Sequence, residues 1–175
     1  MRNTWIRRIS AIRKDGVESA INLTCGLNCI IGASNTGKTR IAKTVEFACG
    51  GKELPFTDKT ASDIAQVTFV TNGGEVSLSR SIHVQNTIHV KSSNPMIVPG
   101  SYSVSSRAGK SINTVLLALL GVESTRRIAT NETYHTVAFT WNAIRHRMIV
   151  PEDQIGRARP SILFPKSTSL ATLTQ

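Results

Sequence analysis

Apolar and polar positions alternate from Trp5 to Arg13, with several β-branched residues, and this predicts a first strand. Lys14-Asp15-Gly16 is a turn signal. A second strand is predicted over Ala20–Thr24 and is broken at Cys25-Gly26. The short apolar run Leu27-Asn28-Cys29-Ile30-Ile31 suits a buried strand, and Gly32 opens a loop after it. The period then changes. Ile41, Ala42, Val45 and Ala48 fall at offsets of one, four and seven, which predicts a helix over 38–49 with these residues on its apolar face. Gly50-Gly51 ends it as a glycine past a helix terminus usually does, and a polar loop with Pro55 follows.

The middle of the chain returns to period two. Ile64–Thr71 and Glu75–Val84 predict paired strands around Asn72-Gly73-Gly74, a hairpin signal. In the second of these Val76, Leu78, Arg80, Ile82 and Val84 share one face, opposite Ser77, Ser79, Ser81 and His83. A third strand is expected over Thr87–Lys91. Residues 92–109 are rich in Ser, Gly and Pro and read as an irregular excursion, expected to be the most mobile ordered part. Ser111–Leu120 predicts a short helix ending at Gly121. Thr136–Val150 is mixed, with Met148-Ile149-Val150 stopped by Pro151, and the Ser/Thr/Leu-rich tail 167–175 is expected to be poorly ordered. No internal repeat is present.

The residues that carry chemistry lie between the predicted third strand and first helix. Gly32-Ala33-Ser34-Asn35-Thr36-Gly37-Lys38-Thr39 matches the phosphate-loop pattern at every fixed position. Gly32 and Gly37 allow backbone conformations that a side chain would forbid. The loop can then aim successive N–H groups at phosphates, and the N-terminus of the next helix adds a positive partial charge. In this reading Gly32 to Arg40 bind a nucleoside triphosphate, Lys38 approaches the β- and γ-phosphates, and Thr39 gives its hydroxyl to Mg²⁺. A second triplet, Gly109-Lys110-Ser111, also precedes a helix. It has Val104 where the motif needs glycine, so it reads as a polar helix start.

Composition adds a charge argument. The 175 residues carry 21 Lys plus Arg against 11 Asp plus Glu, a net charge of +10. That balance favours polyanions, nucleic acid first, or else marks a fragment that lacks an acidic partner or acidic half. The cations are dispersed (Arg7, Arg8, Arg126, Arg127, Arg145, Arg147, Arg157 and Arg159 among them), which points less strongly to DNA than a compact patch. Aromatic residues are 5% of the chain, so the core must rest on aliphatic side chains. Cys25, Cys29 and Cys49, with no secretory signal, suggest reduced cytoplasmic thiols, buried for structural reasons. The longest apolar stretch, Val115–Leu120, is too short to span a bilayer, so no membrane partner is expected.

The order strand, Ile21-Asn22-Leu23-Thr24-Cys25-Gly26-Leu27-Asn28-Cys29-Ile30-Ile31-Gly32, phosphate loop, and a helix ending Ala48-Cys49-Gly50-Gly51 resembles the N-terminal head segment of SMC/RecN-like ATPases with ABC-type heads. The hairpin around Val76–Ile82 and the segment Val115–Val122 are similar to parts that follow in those heads, so the resemblance covers roughly residues 3–125. It implies an α/β P-loop NTPase fold, a head lobe with a mixed sheet and an antiparallel hairpin region over residues 1–166. It also implies ATP and Mg²⁺ as ligands, coupling of ATP binding and hydrolysis to DNA holding or repair, and a second head or a C-terminal half as partner. By the same resemblance Gln154 becomes the candidate Mg²⁺- and water-sensing glutamine. Arg13 or Lys14 becomes a candidate nucleotide contact from the end of the first strand.

The family's signature loop and its aspartate–glutamate pair have no counterpart in the sequence. Met148-Ile149-Val150-Pro151-Glu152-Asp153 imitates the latter in reversed order, which leaves Glu152 and Asp153 as weak candidates for metal and base roles. The expected behaviour is therefore nucleotide binding with little turnover by this chain alone. The alternative is a non-catalytic module whose partner binding depends on the nucleotide.

Overall fold

Short turns bring the second strand back beside the first and fold the last four strands into a meander, and the result is a six-stranded sheet. A computed structural model of the protein describes residues 4–56, 62–105, 108–123, 127–129 and 136–149. The strands are β1 (Trp5–Arg13), β2 (Glu18–Asn22), β3 (Ser62–Thr71), β4 (Gly74–Ser81), β5 (Thr87–Ser92) and β6 (Gly100–Ser103). Their order is β2-β1-β3-β4-β5-β6, and each neighbouring pair is antiparallel. The fold is α/β as expected, but the sheet is antiparallel rather than mixed. Strands joined by tight turns must reverse direction, whereas a parallel pair needs a long crossover.

Register follows the alternation. Ile9 pairs with Val67, Val67 with Leu78, and Leu78 with Val90, so one apolar row crosses four strands. The neighbouring row, Ser10, Gln66, Ser79, His89 and Ser101, lies on the opposite face. Val76, Leu78, Arg80 and Ile82 are buried together as the pattern implies. Val84 is exposed, because β4 stops at Ser81 and the alternation no longer has a sheet to face. Within the stretch read as an irregular excursion, Gly100–Ser103 forms β6 and pairs with β5.

Two helices cover the apolar face. α1 (Lys38–Ala48) buries Thr44, Phe47 and Ala48. Ala42, assigned to the apolar face from its spacing, is instead exposed. Phe47 supplies far more apolar area than an alanine, and its burial decides how the helix is rolled against β3. Gly50, at φ 94, ends the helix by donating its N–H to Phe47 O. α2 (Ile112–Leu119) starts at Ser111, whose Oγ accepts the Asn113 N–H at 3.2 Å, so the Gly109-Lys110-Ser111 triplet is a helix start. Its Val115, Leu116 and Leu119 pack on Val76, Leu78, Ile88 and Val90 of the sheet.

Three further elements follow, the last two in the region read as mixed. β7 (Arg127–Ala129) pairs with β8 (Thr136–Ala138), and α3 (Trp141–Met148) packs beside α2. The signal for α3 was Thr140 ahead of Trp141 and Ile144, a three-residue spacing that puts both against the core. Arg7 pairs with Glu75, Arg8 with Glu18, Arg13 with Asp15 and Arg145 with Glu46, so four of the dispersed cations are neutralised locally. The Arg8 guanidinium, bonded to Glu18, holds that carboxyl below its usual range. No described helix is long and apolar enough to cross a membrane. The tail 167–175 lies outside the described residues.

Candidate functional site

The loop Gly32–Thr39 leads directly into α1. Gly37 stands at its N-cap with φ 89, in the left-handed region that glycine adopts without strain. Asn35, at φ 62, takes the same hand two residues earlier. The Lys38 and Thr39 N–H groups, like the first donors of any helix, have no intrahelical acceptor, and Gly37 offers no side chain to cap them. Gly32 does not take a left-handed φ, and a Cβ there would stand 3.0 Å from Thr36 Oγ1, so a side chain would force that hydroxyl to shift.

Lys38 folds back over its own loop. Its Nζ donates to Gly32 O at 2.7 Å and to Ala33 O at 2.6 Å. Thr36 Oγ1 also donates to Ala33 O, at 2.7 Å, and closes the turn. The ammonium thus sits where the loop carbonyls gather, beside an open cavity of about 750 Å³ lined by Ser34 to Arg40. Thr39 and Arg40 are exposed on the first turn of α1, next to that cavity. A triphosphate fits this donor set: backbone N–H groups at a helix end, one mobile ammonium, and a hydroxyl suited to a hard cation. The loop residues Gly32, Ala33, Ser34, Asn35, Thr36, Gly37, Lys38, Thr39 and Arg40 are therefore brought together in one place.

The segment that feeds the loop differs from the expectation. Leu27–Ile31 belongs to no strand, and Leu27 and Ile31 are 98% and 88% exposed. Apolar burial needs something to pack against, and among the described residues no strand lies beside this run. It is pinned at its start instead. Leu23 N–H donates to Arg7 O, and the Asn28 side chain spans a turn, accepting from Thr24 N–H at 3.0 Å and donating to Thr24 O at 2.8 Å.

Cys25 and Cys29, expected to be buried, are exposed on this segment. Cys49 alone is buried, and desolvation pushes its thiol up to about 12. Native protein is thus expected to react with a maleimide at Cys25 and Cys29 within minutes and at Cys49 only after unfolding. Mass spectrometry of a quenched time course checks this, and fast labelling of Cys49 in native buffer would contradict the packing described.

Arg13 and Lys14 lie at the end of β1 and in the turn after it, where Arg13 pairs with Asp15 at 2.9 Å. Neither lines the loop cavity. Glu152, Asp153 and Gln154 lie outside the described residues. Arg80 is a structural anchor that reasoning from motifs did not single out, although its place among Val76, Leu78 and Ile82 marked it as inward-facing. It anchors the far end of α1: its Nη1 donates to Phe47 O at 2.6 Å and to Gly51 O at 2.7 Å. No group of three or more metal-ligating side chains exists among the described residues. No protein-family model matches the chain and no curated protein matches its sequence, so the assignment rests on the loop geometry.

Proposed function

We propose that the chain binds ATP with Mg²⁺ through Gly32–Arg40, as the N-terminal half of an SMC/RecN-like ATPase head. The observation that carries this reading is the loop itself. A left-handed glycine opens α1, and the Lys38 ammonium is already drawn into the loop by the carbonyls of Gly32 and Ala33. Thr39 would hold Mg²⁺ through its hydroxyl, and the metal would neutralise charge between the β- and γ-phosphates.

The exposed run Leu27–Ile31 supports the idea of an incomplete head. It is an exposed apolar segment to which no strand pairs among the described residues, and a C-terminal half or second head could supply one. The same observation favours the second reading, a nucleotide-dependent interaction module without turnover. Coupling to DNA rests on the net charge of +10 and on the resemblance. The deciding experiment is calorimetric titration of ATP with and without Mg²⁺, with phosphate release assayed on the same sample. Mg²⁺-dependent binding without turnover supports the incomplete head. Absence of binding under both conditions rejects the reading.

A further inference from the structure

The first turns of α1 border a second space beside the loop cavity. It is a groove of about 230 Å³ between the helix and strands β1 and β2. Arg40, exposed and one residue past Thr39, stands in the wall of both the groove and the loop cavity. The groove therefore begins where the phosphate contacts end. From there it follows α1 as far as Thr44, about 6 Å further along the axis. Arg13 and Lys14, the strand-end candidates for a nucleotide contact, line neither space.

The chemistry of this groove differs from that of the loop. Ile21, Ile41 and Phe56 are among its apolar walls, and Arg40 is the one charged side chain that lines it. No carboxylate, amide or imidazole of the described residues does so. The Thr44 hydroxyl is taken up inside α1, where it donates to Arg40 O at 2.7 Å. Ser19 is exposed and pairs with Ala11, which packs toward α1, so both lie on the helix-facing side of the sheet. Ligand pockets usually span ~300–1,000 Å³. A groove of this size holds part of a ligand, and its walls suit a flat ring more than a charged group.

We propose that this groove seats the base of the nucleotide held at the loop and accepts adenine and guanine alike. The inference rests on the nucleotide reading of Gly32–Arg40. A ligand whose terminal phosphates lie at Lys38 and Thr39 continues past Arg40, whose guanidinium suits a further phosphate oxygen. Its ring then leaves water against Ile21, Ile41 and Phe56. The two purines differ at the edge, where adenine carries an amino donor and guanine a keto acceptor. A hydroxyl turns to donate or to accept, so Ser19 can meet either. Selection by orders of magnitude needs fixed polar partners that one base leaves unpaired, and an apolar pocket supplies none.

The test titrates the full chain by calorimetry with ATP, GTP and inorganic tripolyphosphate, each at the same Mg²⁺ concentration. ATP and GTP should bind within about threefold of each other, and tripolyphosphate, which has no base, at least about 10-fold more weakly. Ser19→Ile puts a β-branched side chain, which a strand accommodates, into the base's room. It should weaken ATP and GTP together by about 10-fold and leave tripolyphosphate unchanged. A thermal melt checks that the variant is folded, and the three-ligand comparison on the unaltered chain stands without it. Tripolyphosphate binding as tightly as ATP overturns the base groove and leaves the phosphate loop's role intact. A preference between ATP and GTP beyond threefold, or a folded Ser19→Ile chain with unchanged ATP affinity, also overturns the groove alone. Absence of binding by all three overturns the nucleotide reading and this inference with it.

Discussion

Lys38→Ala is expected to lower the affinity for Mg²⁺-ATP by about 100-fold or more, while leaving the thermal melt within about a degree of wild type. The side chain is exposed, and its partners Gly32 O and Ala33 O belong to a surface loop that water can reach. Stability therefore depends little on it. Affinity depends on it strongly, because a charge-assisted contact to phosphate contributes roughly 1.5–3 kcal/mol and the ammonium can reach two phosphates. Part of that gain is offset: binding moves the ammonium off two carbonyls, so contacts are exchanged rather than simply added. This offset keeps the expected loss nearer two orders of magnitude than four. Titration calorimetry at fixed Mg²⁺ measures it, and a variant that binds within threefold of wild type removes the role assigned to Lys38.

Arg80→Met is expected to destabilise the fold by roughly 2–5 kcal/mol, because it leaves buried carbonyl oxygens without their donor. Arg80 is 3% exposed and has no carboxylate partner among the described residues. Burial draws its guanidinium down to about 10, so it remains charged at neutral pH. The charge is met by carbonyl oxygens: Phe47 O and Gly51 O at the end of α1, and Gln85 O at 2.8 Å from Nε and 2.5 Å from Nη2. The guanidinium also lies 4.0 Å from the centre of the Phe47 ring.

Methionine keeps much of the stem but leaves Gly51 O and Gln85 O without this donor, whereas Phe47 O retains the Gly50 N–H. Arg80→Lys should recover only part of the loss, since one ammonium cannot span carbonyls on opposite sides of the planar fork. Urea unfolding measures both variants. A midpoint for Arg80→Met indistinguishable from wild type would show that the buried cation contributes nothing net.

The sheet was legible in the sequence wherever alternation ran between turn residues. β1 and β5 appear where Trp5–Arg13 and Thr87–Lys91 placed them, and β4 falls within the strand read over Glu75–Val84 but stops at Ser81, because one face of each strand is buried and a slip would expose it. The phosphate loop was legible because its glycines and lysine act locally. Leu27–Ile31 was not, since an apolar run reports a tendency to be covered and says nothing about whether a cover exists. Cys25 and Cys29 were misplaced for the same reason. α3 was obscured by its short length and by the polar residues around Trp141 and Ile144, and its packing on α2 is a tertiary contact that no local pattern encodes. Arg80 stood in plain view on an apolar face, but its partners are backbone carbonyls, which have no sequence signature.

The β1–β3 pairing encloses everything from Arg13 to Ser62, including the whole phosphate loop and α1. By contrast, β3, β4, β5 and β6 are sequential neighbours joined by short connections. Contacts between near neighbours cost little chain entropy and form early, while closing a long excursion is slow. The order of folding follows: the β3–β6 meander comes first and the β1 docking step later. The loop Gly32–Thr39 is held inside that late closure, so it is expected to take its final geometry only at the end of folding, and a slowed β1 docking step would leave a sheet that forms without an ordered loop.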